Sequence, residues 1–113
     1  MIPALPPSQG SIFRSTVHGT VFGDRAERLG RLSAGDAVLL IPDPPMEDDP
    51  SVWVHLTDGE PLGHLPPEIC AWLAPWMHRG GVANATAVKI GGTDAPSWKR
   101  LIIEVRCELP SGA

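Results

Sequence analysis

Apolar positions along this chain recur with two periods, and each stretch predicts an element. Phe13, Val17 and Val21 alternate with Arg14, Thr16, His18 and Thr20, the period of a strand packed on one face. Ser15 and Gly19 stand in the same apolar register, small enough for a bulge or a close backbone approach. Val52, Val54 and Leu56 alternate with Trp53 and His55, and Leu101, Ile103, Val105, Cys107 and Leu109 alternate with Glu104, Arg106 and Glu108. Residues 37–41 are apolar without interruption, which predicts a central strand covered on both faces and stopped by Pro42. Residues 82–90 predict a strand with Asn84 and Thr86 on the face of Val82, Val88 and Ile90. A brief strand is predicted at 62–65, joined to its predecessor by Asp58-Gly59, a strong hairpin signal.

The second period lies in 59–80. Ile69, Trp72, Leu73, Trp76 and Met77 follow a spacing of i, i+3, i+4, i+7 and i+8, one continuous helical face. Pro66 and Pro67 open that helix, where a missing amide hydrogen costs little. Pro75 would free the Ala71 carbonyl and predicts a kink or a second short helical piece. Arg79, Gly80 and Gly81 end it. A shorter helix is predicted after Asp24, with Glu27 completing a capping box, Ala26, Leu29 and Leu32 on the buried side, and Arg25, Arg28 and Arg31 on the exposed one. Five to six short strands, with a helix before the last two, make a mainly β fold: a small barrel or strongly curved sheet with the helical stripe over one open end.

Composition narrows the function. The formal charge of −4 argues against a generic grip on duplex DNA, which needs many Lys and Arg contacts to phosphate, but leaves room for a small site at a strand end. Thirteen prolines and twelve glycines punctuate the chain without repeating, as expected of short strands and many turns. The length suits one domain, at 12–109, between a flexible leader at 1–11 and a tail at 110–113. Cys70 and Cys107 are expected as buried free thiols. With no leader-like basic and apolar segment and no membrane span, the expected location is the cytoplasm.

The residues specify no reaction. His18, His55, His64, His78 and the two cysteines show no metal-ligand spacing, and the acidic loop with Asp43, Glu47, Asp48 and Asp49 matches no calcium loop, so no metal and no cofactor is expected. No serine sits in a nucleophile elbow and no phosphate-binding glycine loop is present, so no catalytic residue is assigned and the chain is read as a non-enzyme. Trp53, opposite the inner face of its strand, and Trp98, in or beside a loop, are candidates for a stacking platform or a protein contact.

The stretch LGHLPPEICAWLAP, from Leu62 to Pro75, resembles the most recognisable segment of HIRAN domains, and RLSAGDAVLLIPDP, from Arg31 to Pro44, is similar to that family's turn, strand and exit. The resemblance spans roughly 12–109. It implies a six-stranded OB-like or SH3-like barrel with two short α-helices, and capture of a single-stranded DNA 3′ end. In the residues that match, Phe22 is implied to stack on a base, His64 to lie at the nucleotide groove, and Asp49 to accept a hydrogen bond from the 3′ hydroxyl. Ser51 replaces an asparagine of the terminal-nucleotide loop and is taken, with Phe22, Asp49 and His64, as the fourth nucleic-acid-binding residue; Asp48 stands where a tyrosine is expected, and Met46 where an earlier asparagine would be. Val21 and Pro67 stand where basic residues are expected. The implied partner is a single-stranded DNA end; a helicase or nuclease partner, or self-association, stays open beside it, and no membrane is expected. The alternative is a protein-interaction or structural adaptor that keeps the barrel and uses Trp53, Trp98 or the proline-rich acidic loop.

Overall fold

The structure, a computed structural model, describes residues 5, 6, 10–46, 48–92 and 94–109. Most of the expected leader, all of the expected tail, Glu47 of the acidic loop and Thr93 of the following loop lie outside the described residues. Among those described, the chain forms β1 (Ile12–Thr16), α1 (Arg25–Leu29), β2 (Ala37–Pro42), β3 (Val52–His55), β4 (Pro61–His64), α2 (Pro67–His78), β5 (Val82–Ile90), a 3-10 turn (Ser97–Lys99) and β6 (Leu101–Glu108). The strands make one antiparallel sheet in the order β1-β6-β5-β2-β3-β4. It is a mainly β, strongly curled sheet with two short helices, of the OB-like small-barrel type.

Its two edges meet. Beyond β1, the His18 amide donates to the His64 carbonyl at 2.8 Å and the His64 amide donates back at 3.0 Å, so the edge strands share a two-bond bridge. Gly63 makes this seam possible, because a Cβ there would run into the His18 carbonyl oxygen and Val17. At Gly19 the chain turns away from the seam with φ of 75°, a conformation that favours glycine. The core lies inside the curl: Val17, Val52, Val54, Leu62, Leu65, Leu101, Ile103 and Val105 are fully buried. Leu5, within the leader, packs against it.

The long helix covers one end, as its stripe predicts. Leu73 and Trp76 are buried, and Ile69, Trp72 and Met77 pack against the core, with Phe13 tilted onto Trp72. Cys70 and Ala74 join the buried face. The helix runs through Pro75 as one element instead of two, and Gly81 turns the chain against the Trp76 ring, where a side chain would collide. Both thiols are free and buried.

Four expectations are corrected. The apolar run of β2 is not covered on both sides: Val38 and Leu40 are buried while Leu39 and Ile41 are exposed, because no helix lies over the outer face there, and Pro42 continues the strand opposite Val52 instead of stopping it. In β5 the inward residues are Ala85 and Ala87, with Asn84 and Thr86 outside; a bulge between Ala87 and Lys89 then changes parity. Asp24 caps α1 without a side-chain bond, so the capping box does not form, and Ala26 is exposed. Val21 leaves the first strand's inner face, since the strand proper ends at Thr16.

Candidate functional site

The β3–β4 hairpin sets the centre of the site. Trp53 and His64 are directly opposite each other in the ladder and point outward, so their rings meet edge-on with centroids 5.5 Å apart. The ring of His18, brought in by the seam, lies 6.1 Å from that of His64. The His64 Nδ1 faces the Leu65 carbonyl at 3.2 Å. A carbonyl can only accept, so Nδ1 carries a proton, and Nε2 is an acceptor in the neutral ring and a donor in the cation.

Asp43 holds the neighbouring loop in place. Its carboxylate accepts from the Ser51 amide at 2.9 Å and from the Trp53 indole N–H at 3.0 Å, and its carbonyl accepts from His78. This carboxylate is therefore occupied in orienting Trp53 and the loop, and is not a free acidic face of the loop as its position among acidic neighbours suggests. Asp48 and Asp49 are exposed.

Three of the four residues implied by the resemblance line one cavity. Asp49, Ser51 and His64 face a space of about 260 Å³, closed below by Leu65, Pro67 and Cys70. The Cys70 thiol donates to the Leu65 carbonyl and accepts from the Val52 amide. Burial raises its pKa above the ordinary thiol value, against the lowering effect of the Val52 bond and with smaller contributions from Asp43 and Glu68. The floor is thus neutral, and the rim carries a carboxylate, a hydroxyl and an imidazole: a set that can accept from and donate to a sugar hydroxyl and a phosphate, in a space suited to one nucleoside. A larger opening of about 510 Å³ beside Pro75, His78 and Arg79 holds none of these residues.

Phe22 lies outside that cavity. It is 65 % exposed on the turn after the seam, and it connects to the cavity through a residue that the sequence pattern puts elsewhere. Arg25, expected on a solvated helix face, is half-buried: its guanidinium donates to the Gly19 carbonyl at 3.0 Å and lies 5.8 Å from the Phe22 ring centre and 5.4 Å from that of Trp53. Arg28 likewise turns inward, donating to the Pro61 carbonyl and pairing with Glu60. A five-residue helix has too few apolar positions to cover its own footprint, so long arginine stems do it. Nearby, Thr20 is buried and its hydroxyl donates to the Ser97 carbonyl, which draws the 3-10 turn alongside the Phe22 turn. Trp98 on it is half exposed, with the Lys99 ammonium 4.8 Å from its ring centre. Among the described residues no group of three or more His, Cys, Asp or Glu is placed to hold a metal ion.

No protein-family model and no curated protein matches the sequence. Among solved structures, the chain is similar to the HIRAN domain of human HLTF, with a TM-score of 0.62 and 17 % identity over 88 % of this chain and 77 % of that one. The fold is therefore that of a HIRAN domain. One expectation is corrected by this match: the cytoplasmic location does not stand, because HLTF is a nuclear protein. The lack of a long apolar helix among the described residues does not choose a compartment.

Proposed function

We propose that this chain is a non-catalytic module of HIRAN type that captures the 3′ end of single-stranded DNA. One observation carries the reading: Asp49, Ser51 and His64, separated in sequence and each implied by the resemblance, line a single cavity sized for one nucleoside. In this reading the Asp49 carboxylate accepts from the terminal 3′ hydroxyl, Ser51 bonds the sugar, and His64 lies at the adjoining phosphate. Exposed Phe22, with Trp98 on the turn beside it, offers a stacking surface for the bases that follow. Asp48 in place of an aromatic removes about 1 to 3 kcal/mol of stacking at the terminal base, so the affinity is modest.

Fluorescence anisotropy with short single strands tests this. An oligonucleotide with a free 3′ hydroxyl binds about 10- to 150-fold more tightly than one ending in a 3′ phosphate, as expected of a hydrogen bond to a carboxylate worth roughly 1.5 to 3 kcal/mol, and Asp49→Asn narrows the difference. Equal binding of the two ends, or none, overturns the proposal. A second reading, an adaptor that binds a helicase or nuclease or a second copy of the chain, draws on exposed Leu39, Ile41 and Trp98. Light scattering that responds to Trp98→Ala in a chain that binds no DNA would favour it.

A further inference from the structure

A shallow groove of about 410 Å³ is bordered by Trp53, whose ring meets His64 of the cavity. Ile41, Pro42 and Pro44 give it apolar surface, Arg25 and His55 stand at its sides, and Asp43 adds a carboxylate. That carboxylate already accepts from Ser51 and Trp53. Arg25 has a different standing. It makes a bond to one carbonyl, and among the described residues no carboxylate pairs with it. Contacts with two rings hold the guanidinium in place, so its remaining N–H groups are set in position before any ligand arrives.

We infer that this groove is a second nucleotide subsite: Arg25 takes the phosphate that joins the terminal nucleotide to the next one, and the second base lies on Ile41, Pro42 and Pro44. The inference rests on the end-capture reading and extends it to the polynucleotide chain leaving the cavity. The two spaces are linked by direct contacts between their linings: Trp53 of the groove meets the ring of His64 of the cavity, and Asp43 of the groove accepts from the amide of Ser51 of the cavity. Charge selects the occupant. The guanidinium is fixed and pairs with no carboxylate among the described residues, and the Asp43 carboxylate of the same groove is turned to Ser51 and Trp53, so the site matches a phosphate followed by a base better than it matches a neutral proline-rich peptide.

The test compares thymidine, which has no phosphate, with the tetranucleotide (dT)4 bearing a free 3′ hydroxyl. Arg25→Gln weakens (dT)4 about tenfold, lowers the steepness of its log–log salt dependence by about 0.7, and leaves thymidine binding, read by NMR titration, unchanged. Ile41→Ser, at an exposed position on the groove floor, weakens (dT)4 several-fold by removing apolar contact with the second base and leaves its salt slope unchanged. If (dT)4 keeps its 3′-hydroxyl preference while both variants bind it like the parent, the second subsite is wrong and end capture stands. Equal weakening of thymidine and (dT)4 means that Arg25 acts only by holding the Gly19–Phe22 turn, which also overturns it. A parent chain that binds no oligonucleotide, including one whose groove takes an acidic or proline-rich peptide instead, overturns both readings.

Discussion

Gly63 and Gly23 are both glycines near the seam, and they do different work. At Gly63 a Cβ would meet the His18 carbonyl oxygen, part of the bridge that joins the two sheet edges, and the fully buried side chain of Val17. Gly23 has a φ of 54° but open space around its Cβ position. Gly63→Ala is therefore expected to cost about 3 kcal/mol or more in urea unfolding, by overpacking at the closure, and Gly23→Ala about 1 kcal/mol, from backbone strain alone. Similar losses at the two sites would show that the seam is not a rigid contact. Gly63 and His64 are the residues that the sequence marks most clearly as a possible ligand contact, and the structure divides their roles: the glycine serves closure, while His64 faces the cavity. Trp53 was legible as a rim residue through strand alternation. Arg25 was not, because its place between two rings depends on Phe22 and Trp53, which come together only when the hairpin packs against the first turn.

Strand β6 shows how an element's pattern can be read and what its burial implies. Leu101, Ile103, Val105 and Cys107 all point into the core, as their alternation predicts, because the strand is paired on both edges and wet on its outer face. At its end, burial pushes the Cys107 thiol from an ordinary 9.0 up to about 11. Between these values the unfolded chain loses the proton while the folded chain keeps it, so stability falls as pH rises from about 9 to about 11, by roughly 2 to 3 kcal/mol in all. Chemical unfolding followed across that window should show the slope in the parent and much less of it in Cys107→Ala; a slope unchanged by the substitution would assign it to another group. Strands β2 and β5 were less legible for a common reason. Five consecutive apolar residues in β2 cannot say which face is covered, and the β5 bulge changes parity within one strand, which alternation alone cannot locate.

At the scale of the whole molecule, the site exists because the barrel closes. His18 and His64 are far apart in sequence, and their pairing sets the first turn, with Phe22, beside the hairpin whose His64 lines the cavity with the acidic loop. Local periodicity predicted the elements and their count, but closure is a long-range pairing that no window of sequence contains. The same closure sets the electrostatics. With a net charge of −4, the chain cannot offer a continuous basic track, and the cations near the candidate interface are Arg25 and, on the neighbouring turn, Lys99. Binding should then draw on one or two phosphates, with the remainder from the terminal hydroxyl and stacking. For single strands each neutralised phosphate contributes about −0.7 to the slope of log affinity against log salt, so the expected slope for a short oligonucleotide lies between about −0.7 and −1.5. It should stay the same when the strand is lengthened at its 5′ end, because added phosphates meet no further cations. Anisotropy titrations over a range of salt concentrations measure this directly. A slope steeper than about −4, or one that grows with strand length, would mean a backbone grip spread over the surface and would rule out capture confined to a strand end.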